Sequence, residues 1–135
     1  MDIARTLNIS ASGMDAQSMR LRVIAENMAN QDDTGSTPGA DPYRRKTITF
    51  GETMDRESGD AEVTVKAIGR DNSDFTLRYE PSHPAANADG YVKVSNVSSF
   101  VEMMDMREAQ RSYSANLDVM QATRSMMTRA IDLLK

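Results

Sequence analysis

Residues 103–134 read MMDMREAQRSYSANLDVMQATRSMMTRAIDLL, and this stretch decides the fold class. Its apolar side chains recur at alternating steps of three and four residues, a spacing that places them on one face of an α-helix. The helix is predicted to begin at Ser99, which forms a capping-box pattern with Glu102, and to be about 55 Å long. The apolar stripe of this last helix consists of Met103, Met106, Tyr113, Leu117, Met120, Met127, Ile131 and Leu134.

Two positions of this stripe are polar. Gln110 and Arg124 stand where the spacing requires apolar side chains. A polar residue at a helix seam lowers stability but helps to fix register and partner number. We therefore interpret Gln110 and Arg124 as determinants of register and pairing specificity.

The N-terminal segment has the same design and predicts a helix from Asp2, as its N-cap, to about Asn30. At 1.5 Å per residue this helix would be about 43 Å long, and Gly35 and Pro38 follow it as stop signals. Gly13 lies inside it, where glycine costs about 1 kcal/mol relative to alanine, so we expect another backbone to approach closely there. The apolar stripe consists of Ile3, Leu7, Met14, Leu21, Ile24 and Met28.

Between the helices the period of the pattern changes. Residues 31–42 and 80–90 are polar and rich in Gly, Pro and Asp, which is typical of loops. Short alternating or β-branched runs predict strands at 47–50, 61–65 and 75–79, and a fourth at 91–94 that can pair with their sheet. The predicted fold is mainly α with a small β module. The long terminal helices pair as an antiparallel coiled coil, with short antiparallel strands between them.

The same change of pattern sets the domain boundaries. Residues 1–34 and 97–135 are predicted to form a discontinuous coiled-coil domain, and residues 35–96 a small β-rich middle module. The chain has three Phe, four Tyr and no Trp, so a small sheet cannot cover two long helical stripes. We therefore expect the stripes to complete their packing against neighbouring subunits, and the ends of an isolated monomer to be poorly ordered.

Charge and composition exclude several classes of function. The net charge is −4, and the excess acid lies in residues 31–96, so neither end carries the basic stripe of a nucleic-acid-binding protein. There is no Cys, which excludes disulfides and thiolate metal sites. No stretch has the pattern of a secretory signal or the length of a membrane span, so we expect neither a cleaved signal peptide nor membrane insertion.

Residues for catalysis do not converge in the sequence. His83 is the only histidine and lies in a polar loop, where we expect it to be exposed to solvent. The run Asp71–Asp74 lacks the spacing of a calcium loop and is predicted to form a turn. The basic run Arg44–Lys46 is flanked by acids and is interpreted as a solvated strand edge rather than a phosphate contact. We predict no enzymatic activity, cofactor, metal or small-molecule substrate.

Particular residues resemble the axial proteins of the bacterial flagellar rod and hook. The first helix ends in Ala25-Glu26-Asn27-Met28-Ala29-Asn30, similar to the Ala-x-Asn-x-Ala-Asn run of that family. Pro81-Ser82-His83-Pro84, Asp89-Gly90-Tyr91 and Arg111-Ser112-Tyr113 with Ala115-Asn116 extend the similarity into the last helix. Asp32-Asp33-Thr34 departs from the family pattern. The family positions singled out are Asn27, Asn30, Gly90, Tyr91 and Asn116.

The resemblance implies a structural subunit of the basal-body rod that polymerises with copies of itself and with other rod subunits. It implies transmission of motor torque, an axial channel lined by the terminal helices, and seam residues that form the subunit interfaces. It also implies export through the flagellar type III apparatus without a cleaved signal, and a place in the rod within the periplasm. The alternatives are a different rod or hook-junction subunit, or a cytoplasmic coiled-coil adaptor. Asn27 and Asn30 either bond to a neighbouring chain or cap and end the first helix.

Overall fold

The computed structural model describes residues 3–56 and 59–134. Two long helices, α1 (Ile3–Ala29) and α2 (Ser99–Asp132), stand at the two ends of the chain. Between them lie four strands, β1 (Lys46–Met54), β2 (Ala61–Arg70), β3 (Thr76–Tyr79) and β4 (Tyr91–Val94). The predicted fold class, mainly helical with a small β module, is confirmed. The predicted N-cap, Asp2, lies outside the described residues.

The strands form two separate antiparallel sheets of two strands each, rather than the one sheet that the sequence predicted. The first is the β1–β2 hairpin, in which Asp55 N donates a hydrogen bond to Asp60 O at 2.8 Å. The second pairs β3 with β4, so that Thr76 lies opposite Val94. On its other side Val94 forms a bridge with Thr34, and the loop after α1 is thereby attached to β4.

The hairpin is longer than predicted, since β1 continues through Gly51 to Met54 and does not end at residue 50. Glycine is tolerated inside a strand where a neighbour approaches closely. A Cβ on Gly51 would lie 3.2 Å from Cβ of Lys66, so this position has little room for a side chain. Pairing continues beyond it, and the hydroxyls of Thr53 and Thr64 are 3.1 Å apart.

The described residues group into two compact units. The first comprises residues up to Leu21, Thr49–Ala67 and the chain from Arg107 onward. The second comprises Arg22–Ile48 and Ile68–Met106. The separation into a helical domain and a middle module, made from the sequence, stays a prediction.

In the first unit α1 contacts the hairpin on one side and α2 on another. Ser12 Oγ accepts a hydrogen bond from Val63 N at 3.2 Å, and Arg5 pairs with the buried Asp60 at 2.7 Å. Because these contacts hold both the turn and one strand of the hairpin, the hairpin is fixed against α1. Gly13 lies against α2.

In the second unit a small apolar core joins the end of α1 to β4. Val23 and Ile24 of α1 are buried, as are Val92 and Val94 of β4 and Ala85 of the preceding loop. The buried strand positions alternate, as expected when one face of a sheet packs against the core. Across the described residues, neither helix is long and apolar enough to cross a membrane.

Candidate assembly interface

The two helices pack antiparallel through small and polar side chains. In the first unit Gly13 lies against Asn116, and seven residues further along α1 Arg20 Nη2 pairs with Glu108 Oε2 at 3.4 Å. A Cβ on Gly13 would lie 2.8 Å from Nδ2 of Asn116. The three atoms nearest to this Cβ all belong to Asn116, so the glycine admits a side chain of α2; the expected approach of another backbone stays a prediction.

The face of α2 that packs inside the chain is displaced from the predicted apolar stripe by one residue. Its members recur every seven residues: Glu102, Ala109 and Thr123 are buried and Asn116 is half-buried. Each precedes a stripe position by one residue, which is about 100° around a helix. The chain therefore packs a small and polar face of α2 internally. The stripe positions that follow these four residues are Met103, Gln110, Leu117 and Arg124, and all of them are exposed.

The apolar residues of α2 are consequently exposed in both units. In the first unit this exposed set consists of Tyr113, Leu117, Val119, Met126, Met127, Ile131, Leu133 and Leu134. In the second unit it consists of Phe100, Val101, Met103 and Met104. Two further stripe residues, Met106 and Met120, are half-buried. We call the first of these sets, that of the first unit, the apolar surface of α2.

The stripe of α1 is distributed differently. Ile24 is buried in the core of the second unit, and Ile3 is exposed. The other four stripe residues, Leu7, Met14, Leu21 and Met28, are half-buried. Most of this stripe is thus used within the chain, and the larger apolar surface is that of α2. The role of both stripes and of Gln110 and Arg124 in subunit contacts stays a prediction.

The end of α2 extends past the described start of α1. Gly13 lies opposite Asn116, so counting back along α1 and forward along α2 brings Ile3 opposite about Met126. Residues 127–134 therefore have no described residue of α1 beside them. This geometry accounts for the high exposure of Leu133 and Leu134, at 87% and 88%.

Asn27 is a fully bonded amide in the interior of the second unit, with 1% of its surface exposed. Its Oδ1 accepts from Lys46 N and from the hydroxyl of Tyr43, both at 2.9 Å. Its Nδ2 donates to Lys46 O at 2.9 Å and to Glu102 Oε2 at 3.2 Å. One side chain thus joins the end of α1, the first residue of β1 and the first turn of α2.

Glu102 lies beside Asn27 and is completely buried. Its Oε1 accepts from Nε of Arg45 at 2.5 Å, and the same guanidinium reaches Asp105 at 3.3 Å and Asp71 at 3.8 Å. A buried carboxylate is tolerated only when it is paired and hydrogen-bonded, and both oxygens of Glu102 have partners. We call Asn27, Arg45 and Glu102 the polar hub.

The capping-box interpretation of Ser99 and Glu102 is wrong, because the Glu102 carboxylate is bonded within the polar hub. The first intrahelical bond of α2 runs from Glu102 N to Ser98 O at 3.0 Å, which makes Ser98 the N-cap. The hydroxyl of Ser99 instead donates to Oε1 of Gln31. Spacing alone cannot tell whether a Glu three residues after a Ser belongs to a capping box or to a buried ion pair.

The basic run is not a solvated strand edge, since all three side chains have partners inside the second unit. Arg44 stacks on the ring of Phe75 at 4.2 Å and donates to carbonyls of the 71–73 turn, and Arg45 belongs to the polar hub. Lys46 Nζ bonds to Glu26 Oε2 at 2.6 Å. This hydrogen bond lowers the pKa of Glu26 and raises the pKa of Lys46.

The remaining family positions have local roles. Asn30 directly follows α1, and its Nδ2 donates to Glu26 O at 2.7 Å; its role as a helix stop or as a contact to a neighbouring chain stays a prediction. Gly90 has φ of +85°, and a Cβ there would lie 2.9 Å from the ring of Tyr79. The ring of Tyr91 meets the Tyr79 ring edge to face, with centroids 5.3 Å apart.

The loop residues considered for chemistry are held by hydrogen bonds of the second unit. His83 is half-buried rather than exposed, and its Nδ1 accepts from Ala85 N at 3.0 Å while Nε2 lies 3.4 Å from the hydroxyl of Thr34. The run at Asp71 connects β2 to β3, and Asp71 Oδ1 accepts from Ser73 N at 2.9 Å. This hydrogen bond from Ser73 is the main reason why the pKa of Asp71 is lowered. Among residues 3–56 and 59–134, no three His, Asp or Glu side chains group as metal ligands.

Comparison with known proteins identifies the family. A family described as flagellar basal body rod FlgEFG protein, C-terminal, matches residues 88–133, which include β4 and α2. The flagellar basal-body rod protein FlgC of Agrobacterium fabrum is 54% identical over 127 residues, covering 94% of this chain and 91% of that protein. The chain belongs to the FlgC family of flagellar basal-body rod proteins.

Other FlgC relatives span the whole chain. The FlgC protein of Bacillus subtilis is 38% identical over 100% of both sequences, and that of Salmonella typhimurium is 38% identical over 98% of both. The resemblance drawn from the residues is therefore confirmed. The names of these FlgC proteins describe a component of the basal-body rod and no enzymatic activity.

Proposed function

We propose that this chain is a structural subunit of the flagellar basal-body rod. In this proposal it polymerises with copies of itself and with other rod subunits through the apolar surface of α2. The rod so formed transmits motor torque and surrounds the axial export channel. Family membership supports the rod, and the division of α2 into two faces supports the mode of assembly.

The observation that carries this proposal is the displaced seam of α2. The internal face contains the buried residues Glu102, Ala109 and Thr123, and it meets α1 where Glu102 bonds to Asn27 and where Asn116 lies against Gly13. The predicted apolar stripe lies beside it, about 100° around the helix, and its Met103 and Leu117 are exposed, although burying one Leu or Met side chain contributes about 1.5–3 kcal/mol. Several such residues on one helix give neighbouring subunits a large shared contact. Torsional stiffness then follows, because many side chains resist shear together.

The proposal includes location and export. The subunit reaches the periplasmic part of the rod through the flagellar type III apparatus and keeps its N-terminal helix, since no cleaved signal is expected from the sequence. Assembly at the growing rod then covers the apolar surface of α2. This order of events agrees with a chain whose own small core is fixed by the polar hub rather than by aromatic side chains.

The test is Leu117→Asp compared with Ser114→Asp, two substitutions on exposed positions of α2. We expect Leu117→Asp to abolish motility and remove the chain from purified basal bodies, because an unpaired charge in a buried contact costs several kcal/mol. Ser114→Asp should preserve both. The circular dichroism of the two purified variants should match. Leu21 is less suitable for this test because it is half-buried within the chain.

Motile cells whose rods contain Leu117→Asp at normal levels would contradict the proposed interface. Absence of the unaltered chain from purified basal bodies would contradict the rod function itself. A cytoplasmic adaptor would give that second result, so the two readouts separate the alternatives.

A further inference from the structure

A groove in the first unit lies between α1 and β2, on the side of α1 that contacts the hairpin. It has a volume of about 320 Å³, and its apolar lining comes from Ala16, Met19, Val63 and Val65. The helix pair lies on a different side of α1, because Gly13 and Arg20 make its contacts with α2. The groove is therefore not filled by the α2 helix of the same chain.

The charged residues that line this groove have one sign. Asp15 and Glu62 carry acidic side chains, and no Lys or Arg lines the groove. Within the described part of the chain, neither carboxylate forms an ion pair. An occupant with an apolar face and flanking basic residues would match both the shape and the charge of the groove.

The end of α2 has this composition. Residues 124–131 contain Arg124 and Arg129 and no acidic residue, and they present Met126, Met127 and Ile131 to solvent. Part of this segment extends past the described start of α1, as counted above from the Gly13 contact. Residues 124–131 thus combine exposed apolar side chains with basic charge, and part of this segment has no described residue of α1 beside it.

We propose that residues 124–131 of one copy dock in the α1–β2 groove of a second copy. Met127 and Ile131 pack on Met19 and Val65, while Arg124, which lies on the same side of the helix, pairs with the acidic side chains of Asp15 and Glu62. The contact is heterologous, since the groove and the helix end are different surfaces of one molecule, and such a contact propagates along an assembly or closes a ring. This inference rests on the proposed rod function, for which it supplies one specific contact between copies.

The chain lacks cysteine, so single-cysteine variants report this contact without background. Cells would express Met19→Cys and Met127→Cys together, and their purified basal bodies would be oxidised and run on a non-reducing gel. We expect a crosslinked pair of chains that contains one copy of each variant. Ser114→Cys with Met19→Cys is the matched control, because Ser114 is exposed on α2 outside the docking segment. This control pair should crosslink at least about tenfold less.

Reversal of the charges in the groove and on the docking segment tests the ion pairs proposed between them. Asp15→Arg with Glu62→Arg in one chain, or Arg124→Glu in the other, should each lower the yield of crosslinked pairs about tenfold by placing like charges together. Combining the two exchanged chains should restore most of the yield. Restoration cannot arise from misfolding, so this arm remains informative if one variant is unstable.

The outcomes separate the inference from the function on which it rests. Chains present in basal bodies without a Met19–Met127 crosslink would overturn the docking and leave the rod function intact. Crosslinks to a different rod protein through Met127 would also overturn it, because the occupant would not be a second copy. Absence of the chain from basal bodies would overturn both.

Discussion

At the scale of single residues, the interior of the second unit is specified by polar groups that have all found partners. Asn27 makes four hydrogen bonds and joins three segments that are distant in sequence. The orientation of the Asn27 amide is strictly defined, because an amide has one acceptor end and one donor end, and here each end meets groups of the complementary kind. Hydrophobic contact alone would fix these segments less specifically.

Asn27→Ala should lower the free energy of unfolding by about 2–4 kcal/mol, because it leaves buried groups of Lys46, Tyr43 and Glu102 without a partner. Asn30→Ala is the matched control, since its amide makes one local bond at the end of α1 and should cost about 1 kcal/mol. Urea unfolding of both variants measures the difference. Equal losses would show that the polar hub does not hold the unit together.

Two features of Gly90 oppose a side chain, its positive φ and the close approach of a neighbouring ring. Gly39 has only the first of these features, so a comparison of the two positions separates their effects. Gly90 and Gly39 both have positive φ, at +85° and +84°, but a Cβ meets the Tyr79 ring only at Gly90 and meets nothing within 4 Å at Gly39. Gly39→Ala should therefore cost about 1 kcal/mol for backbone strain, and Gly90→Ala about 1–2 kcal/mol more for the steric clash. Thermal unfolding followed by circular dichroism would compare them. An equal cost at the two sites would refute the steric part.

At the scale of elements, the sequence predicted both helices and the fold class, and it identified the apolar stripe of α2 but not the face of this helix that packs inside the chain. Hydropathy identifies the most apolar face of a helix, and it cannot tell whether that face meets the same chain or another one. Glu102, Ala109, Asn116 and Thr123 also recur every seven residues, which was the available signal for the internal face. Gly13 gave a second signal, because a glycine in a helix marks a close approach.

The polar hub was less accessible to prediction. Its members come from α1, the residue before β1 and α2, and pairing between distant segments leaves no periodic signal in the sequence. Arg45 next to acidic stretches resembled a solvated surface, although its guanidinium bonds to a buried carboxylate. Glu102 matched a cap by spacing, whereas burial determines its partner.

The ion pair between Glu26 of α1 and Lys46 of β1 makes the junction of these elements dependent on pH. The pKa of Glu26 is lowered, so its stabilising effect is present above its ordinary value of 4.5 and is lost as the pH falls through the lower folded value. The pKa of Lys46 is raised, so its effect is present below 10.5 and is lost as the pH rises through the higher folded value.

Glu26→Gln should therefore destabilise the chain near neutral pH and become neutral in strong acid. Urea unfolding across this pH range measures the effect. The Lys46→Gln background serves as the control, because there the Glu26 substitution should have little effect at any pH. An effect of Glu26→Gln that is independent of pH would exclude the ion pair as its cause.

At the scale of the whole molecule, the chain contains a stable part and an incomplete part. The second unit has its polar hub and a small apolar core, whereas the apolar surface of α2 in the first unit has no partner among the described residues. A subunit of this kind gains its remaining stability on assembly, because binding to neighbours stabilises the folded form by mass action. The export of a chain with a modest core and its later packing in the rod are then compatible.

The expectation of poorly ordered ends in the monomer can now be assigned to a particular segment. Brief trypsin treatment of the isolated chain should cut first after Arg129, in the part of α2 that extends past α1. Cleavage after Arg45 should be slow, because its side chain is only 19% exposed and bonds to Glu102. Mass spectrometry of the early fragments identifies the sites, and Arg129→Gln controls for the assignment.

The Arg129 site should also become resistant in purified basal bodies, where a neighbouring subunit covers it. Equal cleavage rates at Arg129 and Arg45 in the monomer would mean that α2 is as firmly held at its end as at its start, and assembly would then have to proceed from a fully ordered subunit.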